Sequence, residues 1–435
     1  MKINPIILLL YLCVQSVFSQ NFDLSILTVP DSLKQGSNAV VRFYNTCIEL
    51  ESHKKMTIKI EKAITILNEK GNHNAELVFH YDKDNRIKKL KIHIYDQLGI
   101  KIKDIKTKNI KDNSAADGFS LFNDGRLKYY KHIPISYPYT ITYEYEKESS
   151  NTAFIPSWFP IDSPYQSVEH STYNFTFSND LTIQKNENNF ENYPIKKKYS
   201  SSSLSYQLNS TKAINYEESS PSFRSLIPSV KLASNKFYLT GVEGQASNWK
   251  EFGKWMYSNL IANKSDIPEQ TKLTIKKLVK GQDDPIKKAK IIYAFVQNKT
   301  RYISIQVGIG GWSPMLASDV DKLSYGDCKA LTNYTKALMD VANVESYYTA
   351  VYAGEERRSM KNDVISVQGN HVFLYVPSKE KDYWLECTSQ KVPFGYQGTF
   401  TDDRDVLIIK PEGGEIKHTG IHNDKDSFQK TKAKF

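Results

Sequence analysis

Between about Ser25 and Tyr238, apolar or aromatic side chains alternate with polar ones. A run of period two buries one clean face only as a β-strand. Ile58-Lys59-Ile60, Leu90 to Ile94, Ile141-Thr142-Tyr143-Glu144-Tyr145 and Tyr173-Asn174-Phe175-Thr176-Phe177 all follow it. Turn-forming clusters separate them at Asp82-Lys83-Asp84-Asn85, Asn123-Asp124-Gly125 and Ser178-Asn179-Asp180. The spacing predicts an all-β, sandwich-like N-terminal domain over residues 20–240, built as an antiparallel sandwich or one large twisted sheet. Asp82 to Asn85 has a faint likeness to a calcium loop. Its sixth position is Ile87 rather than Gly and its twelfth is His93 rather than Glu, so a hairpin turn is expected.

Near residue 245 the period changes to that of helices. Asn248 can cap a helix carrying Trp249, Phe252 and Met256. Asp284-Pro285 opens another, with Ile286, Ala289, Ile292-Tyr293 and Val296 on one face. A third begins near Cys328, with Leu331, Thr335, Leu338-Met339 and Ala342 inward. Strands are expected at Tyr347 to Tyr352, His371 to Val376, Tyr383 to Cys387 and Val406 to Ile409. Three helices followed by an antiparallel sheet predict an α+β domain over residues 241–400. The chain is therefore read as multidomain, with residues 401–435 as a C-terminal strand and tail.

The first nineteen residues have the form of a secretory signal. Lys2 supplies the positive start, Ile6 to Val14 the apolar run, and Val17-Phe18-Ser19 the cleavage site before Gln20. Tyr11-Leu12 precede Cys13 where lipid attachment would want small residues, so a secreted protein, periplasmic or extracellular, is expected. No later stretch approaches the roughly 20 apolar residues of a membrane helix, so no transmembrane span is expected after signal removal. Of four cysteines in the chain, Cys47, Cys328 and Cys387 then remain. An odd number in an oxidising compartment is no disulfide framework, so packing must supply the stability. The net charge of +10 is spread along solvated strand faces. Nucleic-acid binding would need a concentrated basic face and is not expected.

Among the remaining cysteines, one has an unusual address. In "SYGDCKALTNYTKAL", Cys328 directly follows Gly326-Asp327 at the start of an amphipathic helix, where unpaired amides and the helix dipole favour a thiolate. Asp327 opposes this slightly as a like charge. A nucleophilic thiol needs a base and a group to orient that base. His371 opens the strand "NHVFLYV", and Glu386 stands fifteen residues later in "DYWLECTSQ". Two neighbouring strands can present these residues to one helix N-terminus.

The segments "YGDCKALTNYTKALM", "GNHVFLYV" and "YWLECTSQKVPFGY" resemble the transglutaminase-like superfamily, which shares the papain-like thiol arrangement. The likeness is strong over Asp284 to Gly398 and looser over Ser25 to Tyr238, as in secreted bacterial proteins carrying such a domain behind an uncharacterised β-rich domain. It implies Cys328 as nucleophile, His371 as base and Glu386 as third member, where the superfamily more often has Asp. It also implies an oxyanion hole containing the Cys328 amide, with Trp312 and Gln306 as candidate side-chain donors. Relatives of this layout continue into a further C-terminal β domain, of which residues 401–435 would be the start. The superfamily's animal calcium sites have no counterpart here, and neither metal nor other cofactor is expected.

Cys387 is expected in the core, Cys47 in a packed strand, Gly308-Ile309-Gly310-Gly311 in a turn, and Asp402-Asp403-Arg404-Asp405 in a solvated turn. The expected function is thiol-dependent acyl transfer on protein or peptide amides, with hydrolysis by a peptidase or amidase favoured over transamidation. The alternative is a non-catalytic envelope protein that binds peptides or partners through its β-sandwich and a relict transglutaminase-like fold.

Overall fold

Each alternating run becomes a strand. The computed structural model describes residues 23–115, 120–422, 425 and 428–434; the expected export signal lies outside them. Eight strands form one sheet: β1 (Ala39–Ser52), β2 (Lys55–Ile66), β3 (Asn85–Tyr95), β4 (Lys101–Asp104), β5 (Tyr139–Ser149), β6 (Gln166–Phe177), β7 (Lys196–Tyr199) and β8 (Ser203–Thr211). Their order is β7-β8-β6-β1-β2-β5-β3-β4. Neighbours run antiparallel except β1 and β6, which are parallel with Ala39 opposite Gln166. This parallel pair departs from the antiparallel expectation. Alternation specifies which face is buried and says nothing of a neighbour's direction.

Smaller sheets cover parts of the large one, giving a sandwich-like but incomplete second layer. In one, Glu76–Tyr81 and Lys111–Ser114 flank Arg126–Lys131. Its Phe79 ring lies 5.3 Å from that of Tyr143 and 5.0 Å from that of Tyr145 on β5. In another, Ile183–Asn188 pairs with Ser229–Ser234. Val230 and Leu232 of that pair share a core with Trp158, Tyr173 and Tyr206. Trp158 satisfies its buried Nε1–H by donating to Ser171 Oγ at 3.0 Å.

The later part contains α1 (Trp249–Met256), α2 (Glu269–Leu278), α3 (Pro285–Lys299), α4 (Ala317–Leu323) and α5 (Cys328–Val341). A five-stranded antiparallel sheet follows: β9 (Tyr347–Val351), β10 (His371–Val376), β11 (Tyr383–Leu385), β12 (Asp405–Lys410) and β13 (Gly413–His418). Its order is β11-β10-β9-β12-β13. Helix α5 is central, with buried residues on every side, from Lys329 and Asn333 to Leu338. It packs against the sheet, and Thr332 Oγ1 donates to the carbonyl of Val372 on β10 at 3.3 Å. Among the described residues no helix is long and apolar enough to cross a membrane.

Three expectations need correction. Helices α2 and α4 interrupt the expected three-helix plan. In α2 only Thr271 and Ile275 are buried, too thin an apolar stripe to stand out from its lysines. Residues 405–418 do not begin a further β domain. Strand β12 lies inside the α+β sheet, with Ile409 opposite Tyr348, and β13 covers its outer edge. Strand β13 is pressed onto α1 so tightly that a Cβ at Gly253 would stand 2.2 Å from Gly414 Cα. The expected boundary at residue 240 also cuts a hairpin formed by Lys236–Leu239 and Val242–Gln245. Phe237 of that hairpin packs on Trp255 of α1, their ring centroids 4.8 Å apart.

Candidate functional site

The site begins with the way α5 starts. Residues Tyr325–Gly326 run beside Arg301–Tyr302 as a short parallel pair. Gly326 permits a close approach there, since a Cβ would meet the Ala330 methyl at 2.6 Å. Asp327 then caps the helix, its Oδ1 accepting from the Ala330 amide at 2.9 Å. Cys328 is the first helical residue, 8 % exposed. Among the described residues the amides of Cys328 and Lys329 have no hydrogen-bond partner. Both belong to the open donors of a helix start.

The structure brings His371 and Glu386 to this point. His371 opens β10 opposite Val351, and Glu386 follows β11 directly. His371 Nε2 and Glu386 Oε2 are 2.8 Å apart, which leaves the other ring nitrogen free of the carboxylate, and the Cys328 sulfur lies near enough to raise the imidazole's pKa. The second carboxylate oxygen, Oε1, accepts from the Thr388 amide at 3.0 Å and its hydroxyl at 2.5 Å. Tyr293 of α3 fixes the backbone here, donating its hydroxyl to the Glu386 carbonyl at 2.8 Å. The Phe400 ring meets the imidazole edge-on with centroids 5.3 Å apart.

The electrostatics follow from this packing. Burial alone would favour a neutral imidazole. The Glu386 carboxylate and the Cys328 sulfur outweigh it and raise the His371 pKa from 6.5 to about 10. Burial alone would also favour a neutral Glu386. The charge and hydrogen bond of His371, joined by Thr388, hold this carboxyl below its usual range. The arrangement can therefore keep an imidazolium between a carboxylate and a sulfur.

Cys328, His371 and Thr388 open into a cleft of about 860 Å³ whose walls come from both parts of the chain. Trp312, Gln306 and Tyr348 line one side; Asp82, Lys83, Asp84 and Asp124 come from loops of the β-rich part. Backbone pairing joins the two parts beside it, since Ser304–Gln306 runs parallel to Ser120–Asn123. Asp124 Oδ2 also accepts from the Gly308 amide at 3.0 Å.

The two candidate oxyanion donors fare differently. Trp312 lies in the cleft wall with its ring 5.0 Å from that of Phe154. Gln306 also lines the cleft, but its Nε2 donates to Asp327 Oδ2 at 3.2 Å and to Ser304 Oγ at 3.3 Å. That amide is committed to positioning the N-cap rather than free for an oxyanion. Lys329 completes the same network by pairing with Asp327. Both charges are buried, at 5 % and 4 % exposure, so the lysine offsets the like charge that Asp327 sets beside the sulfur.

Tyr348, Lys329 and Thr388 escape sequence reasoning. A lysine beside an aspartate reads as solvated surface, and a strand tyrosine as packing. Only the alternation that turns Tyr348 toward the helix side hints at its place. The expected hairpin turn at Asp82 is present, with Oδ1 accepting from the Asp84 and Asn85 amides at 2.7 and 2.8 Å. Its position in the cleft wall was not expected.

The other cysteines lie apart from this chemistry, and the three form no disulfide. Cys387 packs with Leu385 and Leu374 in the helix-side core, where burial pushes its thiol up to about 12. Cys47 on β1 is half-buried rather than packed in. Gly308–Gly311 forms a single 3-10 turn. The expected solvated turn at 402–405 is corrected: Asp402 and Arg404 are buried, at 1 % and 0 % exposure. Arg404 is drawn inward because its guanidinium answers the carbonyls of Tyr352, Gly354, Thr399 and Asp402. No cluster of three metal-ligating side chains occurs among the described residues.

Comparison with known proteins places the fold. A family model described as a domain of unknown function with solved structure, DUF3857, matches residues 52–215, within the β-rich part. The crystal structure of a candidate protease from Parabacteroides distasonis superposes with a TM-score of 0.62 at 14 % identity, covering 88 % of this chain and 72 % of that one. The chain shares that protein's fold over most of its length. A candidate cysteine protease from Cytophaga hutchinsonii covers 84 % of this chain and 86 % of its own at 8 % identity. Its TM-score of 0.23 is too low for a shared-fold argument. No curated protein matches the sequence.

Proposed function

We propose that this chain is an exported thiol hydrolase of the transglutaminase-like type, acting on protein or peptide amides. The observation that carries the reading is the 2.8 Å contact of Glu386 with the His371 imidazole, which shares one open cleft with Cys328 at its helix start. The Cys328 sulfur adds to the amide carbonyl, forming a C–S bond and an oxyanion. His371 passes its proton to the leaving nitrogen as the C–N bond breaks, and an acyl thioester remains. Water then attacks the thioester while His371 takes a proton from it. Release of the acid restores the thiolate and imidazolium pair.

Glu386 keeps the ring oriented and its charge balanced through both half-reactions. The longer carboxylate serves where Asp is more usual in this superfamily because Thr388 holds its second oxygen. A second amine in place of water would give transamidation; hydrolysis is the favoured outcome, as expected for bacterial members of the superfamily. Export, to a periplasm or the exterior, is part of the proposal and rests on the N-terminal sequence.

The test is an acyl probe. The purified mature protein, incubated with an electrophilic peptide thioester, should gain the acyl mass on Cys328, and Cys328→Ala should gain none. Labelling that lands elsewhere, or survives in Cys328→Ala, removes the basis for this reading.

A further inference from the structure

Tyr348 is a polar residue of the cleft that the chemistry above leaves unused. It sits on β9 opposite Leu374, 2 % exposed. It packs in the same apolar cluster as Cys328 and lines the same cleft as Cys328 and His371. Among the described residues its hydroxyl makes no hydrogen bond; its neighbours in charge are the Cys328 sulfur and the Asp327 carboxylate. A phenol without a protein partner in the wall of a cleft is a donor available to whatever enters that cleft. Two more open donors, the amides of Cys328 and Lys329, belong to the helix start that lines the same cleft. Three donors without a protein partner thus share one cleft with the nucleophile, and together they suit a negative oxygen.

The geometry points to Tyr348 as the side-chain donor that, with the Cys328 amide, holds the oxyanion formed when the sulfur adds to a carbonyl. This rests on the acyl-transfer reading above and names a catalytic residue for it. As the C–S bond forms, the carbonyl π electrons move onto oxygen, and the phenol O–H and the backbone N–H bind that oxygen. The phenol keeps its proton throughout. The oxyanion collapses when the C–N bond breaks and the nitrogen takes the proton of His371. Burial, with the sulfur and the Asp327 carboxylate adding to it, keeps Tyr348 protonated far above neutral pH, as a donor requires. Gln306 cannot fill this role while its amide is bound to Asp327 and Ser304. Trp312 packs its ring against Phe154 and lines the cleft wall.

The test compares two reactions of the same sulfur in the full mature chain. Acylation by p-nitrophenyl acetate passes through an oxyanion; alkylation by iodoacetamide does not. Tyr348→Phe should lower the acylation rate by about 100-fold, the loss typical of a removed oxyanion donor. Its alkylation rate should stay at the wild-type level, which also reports an intact site. Equal acylation in the two proteins would overturn the assignment and leave the acyl-transfer reading standing. Parallel loss of both reactions would also overturn it, placing Tyr348 on the sulfur or the fold. A wild-type protein that alkylates at Cys328 but never acylates would defeat the acyl-transfer reading itself, and this assignment with it.

Discussion

At the scale of single residues, the site turns on one charged contact. His371 holds its proton to about pH 10 in the fold and to 6.5 in an unfolded chain. A raised pKa stabilises the state that binds the proton. The contribution is therefore full below about pH 6.5 and fades as pH rises through 10. Glu386→Gln removes the main stabilising partner. We expect its deficit in urea midpoint, relative to wild type, to be largest near pH 6 and to shrink steadily above 6.5; a deficit flat across that window would contradict the ion pair. The same variant should lose acylation by about 10³-fold or more, since the imidazole is no longer held in its working orientation. The three motif residues were legible because each couples a reactive group to a recognisable local position: a helix start, a strand start, a strand end. Thr388 was not, because a threonine two residues after a carboxylate has no signature of its own.

At the scale of elements, the start of α5 must hold a buried pair as well as a cap. Asp327→Ala removes the cap and also strands Lys329 without its counter-ion. Loss of the cap alone costs about 1 kcal/mol. An unpaired buried charge raises this to about 3–5 kcal/mol, and chemical denaturation should read the larger figure. The double variant Asp327→Asn with Lys329→Met keeps a capping oxygen, removes both charges and should recover most of the loss. A deficit of only the cap's size in Asp327→Ala would mean that Lys329 finds water instead. Capping signals at Asn248 and Asp284-Pro285 read correctly from sequence because they are local chemistry, and both caps form. Helix α2 did not, because its stability comes from what it leans on.

At the scale of the whole molecule, the β-rich part supplies a wall of the cleft. The Ser304–Gln306 strand, which carries the residue that braces Asp327, is itself paired to Ser120–Asn123 of that part. Asp124 ties the adjoining turn through the Gly308 amide. Asp124→Ala should speed hydrogen exchange at Gly308 by about tenfold, as expected for one lost charge-assisted bond of about 1.5 kcal/mol. Exchange at core amides of β1 should not change. Unaltered exchange at Gly308 would show that the tether carries no load. None of this joining was legible in sequence. It brings together backbone near residues 120 and 305, and strand pairing at that separation leaves no periodic trace in either segment.

The amino-acid order by itself determined the local terms: which runs alternate into strands, where helices begin, and which sulfur and imidazole stand at a helix start and a strand start. Those properties depend on neighbours within a few residues, so they survive reading one segment at a time. Tertiary structure alone decided the parallel pairing of β1 and β6, the place of β12 and β13 inside the α+β sheet, and the burial of Lys329, Arg404 and Tyr348. The physical reason is common to all of them. Burial and counter-charge are set by segments distant in the chain, and a polar side chain carries no local mark of whether it will meet water or a partner.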